Sequence, residues 1–279
     1  MRMQGSSAPT VSVAMGVLYR RDSLDLLRRS VESILNQTYT DFEFLICDDG
    51  SSSAAQALLD EYGSSDSRIR LLRPGGKLDL ASKLNVCLRE AKGRYIARMD
   101  DADYSHSDRF EKQILFLNNR LDIAFVGSCV SLIREKKILE KRRLPERPTI
   151  QDFYMTQPYI HPTLMFRKES LDVTGGYSED KRQVLCEDYD LLLRLYAHGF
   201  QGANLQEALL DYTVPATAKG NRKMRHRWNE SLTRFWRFRE LGVLPGAIPY
   251  VIKPLAVGIL PDKLMMRVKS SVRERENEI

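Results

Sequence analysis

The first hundred residues alternate apolar, β-rich runs with stretches of helical spacing, and two of the apolar runs end directly in aspartates. Residues 11–18 (VSVAMGVL) read as a buried strand. From Ser23, apolar residues fall at Leu24, Leu27, Val31, Ile34 and Leu35, which predicts a helix with Asp22 or Ser23 as its cap. Residues 42–47 (FEFLIC) form a second strand that stops at Asp48 and Asp49. A helix over 54–62 and a short strand over 69–72 follow. Leu80, Leu84, Cys87, Leu88 and Ala91 then mark another amphipathic helix, ended by Gly93. Residues 94–99 (RYIARM) are a further strand, again running into aspartates.

Such alternation predicts an α/β chain with a mainly parallel, doubly wound central sheet flanked by helices. In open sheets of this kind ligands sit beyond the carboxyl ends of the strands, so both acidic clusters are expected on one crevice. A long strand follows over 123–133. Lys136, Lys137, Lys141, Arg142 and Arg143, with Pro145 and Pro148 behind them, read as a loop or flexible excursion. An apolar run at 163–166 and a helix over 189–198 come next. The expected division is one domain over 10–220 and a basic, amphipathic helical extension over 221–279, with residues 1–9 as a flexible tail.

Charge narrows the partners. The net charge of +6 suits an anionic partner: nucleic acid, an anionic membrane surface or a phosphorylated substrate. Cys47, Cys87, Cys129 and Cys186 form no CxxC pair, which fits buried thiols in a reducing compartment and no zinc site. Residues 1–10 lack an apolar core and no run of eighteen apolar residues occurs, so neither a secretory signal nor a membrane span is expected. The expected place is the cytoplasm, including the inner face of the membrane.

Four motifs carry chemistry. In CDDGSS (47–52), aspartates at a strand end can accept hydrogen bonds from a base or ribose, and Gly50 permits a tight turn; the same residues also suit an ordinary strand-to-helix turn. In MDDADY (99–104), Asp100, Asp101 and Asp103 repel one another unless a cation sits among them, and carboxylate oxygens suit Mg²⁺ or Mn²⁺. In CEDYDLLLRL (186–195), Glu187 and Asp188 open a helix, where they serve either as capping acids or as a general base. IHPTLMFRK (160–168) carries a lone histidine of structural type, and Gly175-Gly176-Tyr177 is a turn signal.

Together VESILNQTYTDFEFLICDDGSS, AKGRYIARMDDADYSHSDRFEKQ, HPTLMFRK, GGY and EDYDLLLRL occur in the order seen in family 2 glycosyltransferases of the GT-A fold. The resemblance covers roughly residues 10–215. It implies that Asp48 or Asp49 holds the base and ribose of a nucleotide sugar, most often a UDP-sugar. It implies that Asp100, Asp101 and Asp103 meet the donor diphosphate and its Mn²⁺ or Mg²⁺. Asp101 and Asp103 are the expected metal ligands, and the motif leaves open which pair of the three holds the ion. It makes Asp188 the base of a single, inverting displacement onto an acceptor hydroxyl, in polysaccharide or glycolipid assembly. Arg98 and Lys77 are further expected diphosphate contacts. The acceptor would be a saccharide or a lipid-linked saccharide. Three positions depart from the family pattern: Gly16 stands for a usual Pro, Arg20 for a usual Asn, and Ala102 for an aspartate that often binds metal.

Two other classes use similar features. A nucleotidyltransferase also combines an α/β sheet with metal-bound aspartates, and a non-catalytic membrane-associated module would keep the fold with decayed sites. In the extension, Val251, Ile252, Leu255, Val257, Ile259, Leu264 and Met265 give an apolar stripe flanked by Lys253, Lys263, Arg267 and Lys269. That pattern suits an anionic membrane surface, a helix packed on the catalytic domain, or a homodimer contact. Nucleic acid is the less favoured partner, although Trp228, Phe235, Trp236 and Phe238 offer stacking faces.

Overall fold

A computed structural model describes residues 8–135, 137–214 and 224–259. Most of the expected tail, and Lys136, Lys263, Leu264, Met265, Arg267 and Lys269, lie outside the described residues. The chain divides into two units, Met1–Glu179 with Glu187–Ala218, and Asp180–Cys186 with Lys219–Ile279.

The first unit begins with β1 (Val11–Val17), α1 (Asp25–Leu35), β2 (Phe42–Asp48), α2 (Ser53–Ser65), β3 (Ile69–Leu72), α3 (Leu80–Glu90) and β4 (Tyr95–Arg98). It continues through β5 (Tyr104–Ser105), α4 (Arg109–Asn119), β6 (Phe125–Arg134), β7 (Lys137–Arg142), α5 (Asp152–Met155), β8 (Met165–Arg167), α6 (Lys168–Thr174), α7 (Glu187–Ala197) and β9 (Gly202–Thr213). The second unit holds a short 3₁₀ turn (Lys181–Gln183), α8 (Met224–Glu240) and α9 (Leu244–Ile259).

The strands form one sheet in the order β3-β2-β1-β4-β8-β6-β9-β5, with β7 paired to β6. From β3 to β4 all pairs are parallel. Beyond β4 the sheet is mixed: β8 runs antiparallel to both β4 and β6, while β9 runs parallel to β6. β1 and β2 lie inside the sheet, so they are buried along almost their whole length and largely apolar. Among the buried exceptions, Ser12 and Glu43 satisfy each other, Ser12 Oγ donating to Glu43 Oε1 at 2.6 Å. α1 turns Leu27, Val31 and Ile34 onto one face, where they join the core of Val13, Met15, Phe44 and Ile46.

Local chemistry sets the helix starts. Ser52 caps α2 by accepting from Ala55 N, and Asp79 caps α3 by accepting from Ser82 N at 2.9 Å. α1 differs from expectation, because its N-cap is Leu24 and carries no side-chain cap bond. Ser23 Oγ instead accepts from Asp25 N at 3.2 Å, one step before the cap.

The basic stretch after residue 135 is not a loop. Residues 137–142 form β7, antiparallel to the C-terminal half of β6. Glu135 turns the chain at φ 48°, and β6 offers an edge that β8 covers only at Phe125 and Val126. Every residue of β7 is exposed, and charged side chains on such a strand oppose edge-to-edge association.

Gly93 is fixed by packing. A Cβ there would lie 2.5 Å from Ser12 N and 2.6 Å from Val11 C, while Gly93 N donates to Ser12 Oγ at 2.8 Å. Gly93→Ala is expected to destabilise the first unit by about 2 kcal/mol, since backbone must move. Thermal unfolding checks this; a melting temperature lowered by about 5 °C is expected.

Candidate active site

β1, β2 and β4 end side by side. Their register pairs Val17 with Asp48 and Ala14 with Arg98, so the acidic clusters after β2 and β4 flank the end of β1. Asp48 is 2 % exposed; its Oδ1 accepts from Ser51 N at 3.3 Å. Its Oδ2 is buried without a hydrogen-bond partner, and Arg73 Nε stands 3.6 Å away. Asp49 Oδ2 accepts a short bond from Leu78 N, which ties the loop of Gly75, Gly76 and Lys77 to the end of β2. Lys77 itself is exposed on that loop. The turn after β1 is fastened to the same place, for Tyr19 N donates to Ser51 Oγ and Ser52 N to Tyr19 O, both at 2.9 Å.

Lys83 links the clusters. Its side chain is 3 % exposed, and Nζ donates to Val17 O at 2.7 Å. Burial pushes its pKa down, while Asp49, Cys47, Asp48 and Asp101 pull it back up. A Cβ on Gly16 would lie 3.0 Å from Leu80 Cδ1 and 3.1 Å from Lys83 Cβ, so the glycine lets α3 bring this lysine close to β1.

The second cluster rests on buried arginines. Arg98 is 1 % exposed; its Nη2 donates to Asp100 Oδ1 at 2.5 Å and its Nη1 to Met99 O. Arg98, expected as a diphosphate contact, is thus buried with its guanidinium on Asp100 and the Met99 carbonyl. Arg109 in turn donates from Nη2 to Arg98 O at 2.8 Å and from Nε to Gln113 Oε1 at 3.0 Å. Ser30 Oγ holds Asp100 O at 2.6 Å.

Two carboxylates of this cluster are electrostatically strained. Burial, then the charge of Asp100, pushes Asp101 up to about 6. Asp103 is 3 % exposed; Oδ1 accepts from Thr213 N at 2.8 Å, and Oδ2 is buried without a hydrogen-bond partner. Burial and then Asp100 raise its pKa well above the usual carboxylate range. Thr213 Oγ1 also binds Ala102 O at 2.5 Å, so the end of β9 clamps the segment. Among the described residues no group of three or more His, Cys, Asp or Glu side chains is arranged to hold a metal.

Asp188 sits half-buried in the first turn of α7. Its Oδ1 accepts from Tyr189 N at 2.8 Å and its Oδ2 from Gln157 Nε2 at 3.0 Å. The neighbouring acids have other surroundings. Asp190 is fully buried and meets Arg194 Nε at 2.7 Å, and that arginine donates to Thr174 O and Gly176 O, tying α7 to the glycine turn. His161 is structural: its Nε2 meets Tyr177 Oη at 2.7 Å, and burial holds its pKa well below 6.5.

Two buried tyrosines feel the charge of both Asp188 and the cluster. Tyr212 is pushed up to about 12 by burial and then by Asp103, Asp100 and Asp188. Burial also raises Tyr177, which feels Arg98, Asp188, Glu187 and Asp100. Both rings thus lie within electrostatic reach of Asp100 and Asp188, and Lys83 within reach of Asp49 and Asp101.

Sequence reasoning missed Lys83, Gln157, Tyr212 and Thr213. Lys83 had a signal: it lies on the apolar stripe of α3, three residues after Leu80 and four before Cys87. Gln157, in an irregular segment, had none.

The profile of the family described as Glycosyl transferase family 2 matches residues 16–175. EpsE of Bacillus subtilis, named as a glycosyltransferase, is 33 % identical over 263 residues, covering 94 % of each chain. The chain belongs to glycosyl transferase family 2. The O-antigen biosynthesis glycosyltransferase WbnJ of Escherichia coli is 33 % identical over 210 residues, covering 73 % of this chain and 79 % of its own. Among solved structures, Staphylococcus aureus TarS in complex with UDP-GlcNAc superposes with a TM-score of 0.67 at 13 % identity, over 88 % of this chain and 73 % of that one. The Pyrobaculum calidifontis mannosyltransferase PcManGT, with GDP-Man and Mn²⁺, gives 0.64 at 16 % identity, over 96 % and 81 %. At such identities the structural likeness speaks for the fold alone, which for this family 2 glycosyltransferase is GT-A.

Proposed function

We propose that this glycosyltransferase moves a sugar from a UDP-sugar to an acceptor hydroxyl with inversion, in polysaccharide or glycolipid assembly. The observation that carries this reading is the meeting of Asp48, Asp49, Asp100, Asp101 and Asp103 at the ends of β2 and β4, which the strand register brings side by side. The relatives agree in class. One is named for UDP-Gal transfer to GlcNAc-diphosphoundecaprenol, at 28 % identity over 209 residues, and others for O-antigen and amylovoran biosynthesis. A lipid-linked acceptor would place the reaction at the inner face of the membrane.

In this reading Asp48 and Asp49 hold the base and ribose, and Lys77 reaches the diphosphate from its tethered loop. Asp101 and Asp103 would hold Mn²⁺ or Mg²⁺. They fit this task because one has a raised pKa and the other a buried oxygen without a hydrogen-bond partner. Two carboxylates suffice where diphosphate oxygens and water complete the coordination. When bound, the cation neutralises charge developing on the leaving diphosphate. Arg98 keeps Asp100 oriented. Asp188 takes the acceptor proton as the acceptor oxygen bonds to the anomeric carbon. The bond from that carbon to the diphosphate breaks, and its electron pair leaves with the nucleoside diphosphate.

Thermal-shift measurements across a panel of nucleotide sugars test this directly. A cognate donor with Mn²⁺ at about 100 times its Kd should add about 2.7 kcal/mol of stability. EDTA should abolish most of that gain. No shift with any nucleotide sugar would defeat the reading.

A further inference from the structure

The second unit exposes two coherent helix faces that the transfer reaction does not use. On α8, Arg225, Trp228, Leu232, Trp236 and Arg239 recur at spacings of three and four residues and share one side. Trp228 and Trp236 are each 54 % exposed, two turns apart, and Arg225 and Arg239 are exposed at either end. The Arg239 guanidinium lies 5.8 Å from the centre of the Trp236 ring, and Phe235 packs edge-on to Trp236 at 5.2 Å. One acidic residue borders this face: Glu240, exposed one turn beyond Trp236. Its charge is offset by Arg237 at 2.7 Å, while Glu230 lies on the far side of the helix, paired with Arg234 at 3.0 Å.

The exposed side of α9 repeats the spacing without charge. It carries Pro245, Ile248, Ile252, Ala256 and Ile259, with Ile259 77 % exposed. α9 has no Asp or Glu, and its one charged residue, Lys253, is half-buried off this row. Single exposed apolar side chains are ordinary, but an unbroken apolar row on one helix and an arginine-bounded tryptophan pair on the helix packed against it are not.

We propose that α8 and α9 form a docking surface for an anionic lipid bilayer, lying in its interface and not crossing it. Tryptophan rings favour the headgroup level, where an apolar body meets a polar edge. Arginines at both ends of the row reach lipid phosphates while their stems cover apolar surface. With Glu240 offset by Arg237 and no acid on α9, the surface is net cationic, a charge complementary to an anionic bilayer and not to a second copy presenting the same face. No helix among the described residues is long and apolar enough to span a membrane. This surface goes beyond the proposed transfer, and binding is read without turnover.

The test uses a property of the chain: it has only two tryptophans, and both lie on this face. With the full chain, phosphatidylglycerol-containing vesicles should shift tryptophan emission to the blue and sediment the protein. Pure phosphatidylcholine vesicles should do so far less, and added salt should weaken the effect. Arg225→Ser with Arg239→Ser keeps both reporters; at about fivefold per arginine it should weaken binding roughly thirtyfold. Trp228→Ala with Trp236→Ala, checked for fold by circular dichroism, should lose sedimentation. Unchanged emission and no sedimentation with anionic vesicles would overturn the proposal. So would a blue shift that grows with protein concentration in the absence of lipid, which would mark a second copy on this face.

Discussion

Asp188→Asn is expected to lower sugar transfer about 10²- to 10⁴-fold, the range over which a positioned general base contributes. The substitution is nearly isosteric. Its single amide oxygen can keep the bond from Gln157 Nε2, now made to Oδ2 at 3.0 Å, at the cost of the one from Tyr189 N to Oδ1, a local loss of about 1 kcal/mol that the α7 start should withstand. What is lost is the ability to take a proton. Steady-state kinetics should therefore show a fall in kcat with little change in the donor KM, the pattern of an interaction made only in the transition state. Donor-induced thermal stabilisation should match that of the wild type. Full turnover in this variant would remove Asp188 from the chemistry. The acids beside it are poor substitutes: Asp190 is fully buried against Arg194, and Glu187 is buried.

Asp101→Asn should separate stability from activity. Burial and the charge of Asp100 raise the Asp101 pKa to about 6 from an ordinary 3.8. A raised carboxyl pKa means that ionisation opposes folding. Its contribution is harmless below about pH 4, where the group is protonated in both states, and stability is lost as pH rises through about 6. A shift of that size corresponds to about 2–3 kcal/mol at pH 8. Asparagine carries no charge at any pH. Without divalent cation the variant should melt about 5–8 °C higher than wild type at pH 8, and with little difference at pH 4. Transfer should meanwhile fall by about 10²-fold or more, because the carboxylate that opposes folding is the one assigned to the donor's cation. Equal melting temperatures at pH 8 would show that Asp101 is not electrostatically strained.

Much of this architecture was legible in the sequence because its determinants are local. The first four strands are short apolar runs between amphipathic helices, and the acid clusters stand directly at their ends. The second half depends on distant pairing. β9 joins β6 across the 67 residues of chain between them, 135–201, and its middle carries Gln206 and Glu207 where the register shifts at Ser128 and Cys129. That interruption spoils the alternation by which a strand is recognised. β7 looked like a solvated basic loop because all its side chains are exposed and its pairing with β6 leaves no apolar alternation to read. Within the site, Asp48, Asp49, Asp100, Asp101, Asp103 and Asp188 were visible as types in motifs. The burial of Arg98 was not, since an arginine inside a strand pattern reads equally as a ligand contact or as a support. The lysine beneath the crevice was hidden by the expectation that such side chains stay in solvent, although its position on an apolar stripe announced otherwise.

The anomeric configuration of the first-formed product tests the single-displacement chemistry most directly. With an α-linked UDP-sugar donor and its acceptor, proton NMR of the nascent product should show the β-linked sugar, formed in one inversion with Asp188 as base. An α-linked product would require two displacements or a front-face route, and would contradict the role assigned to the carboxylate at the start of α7.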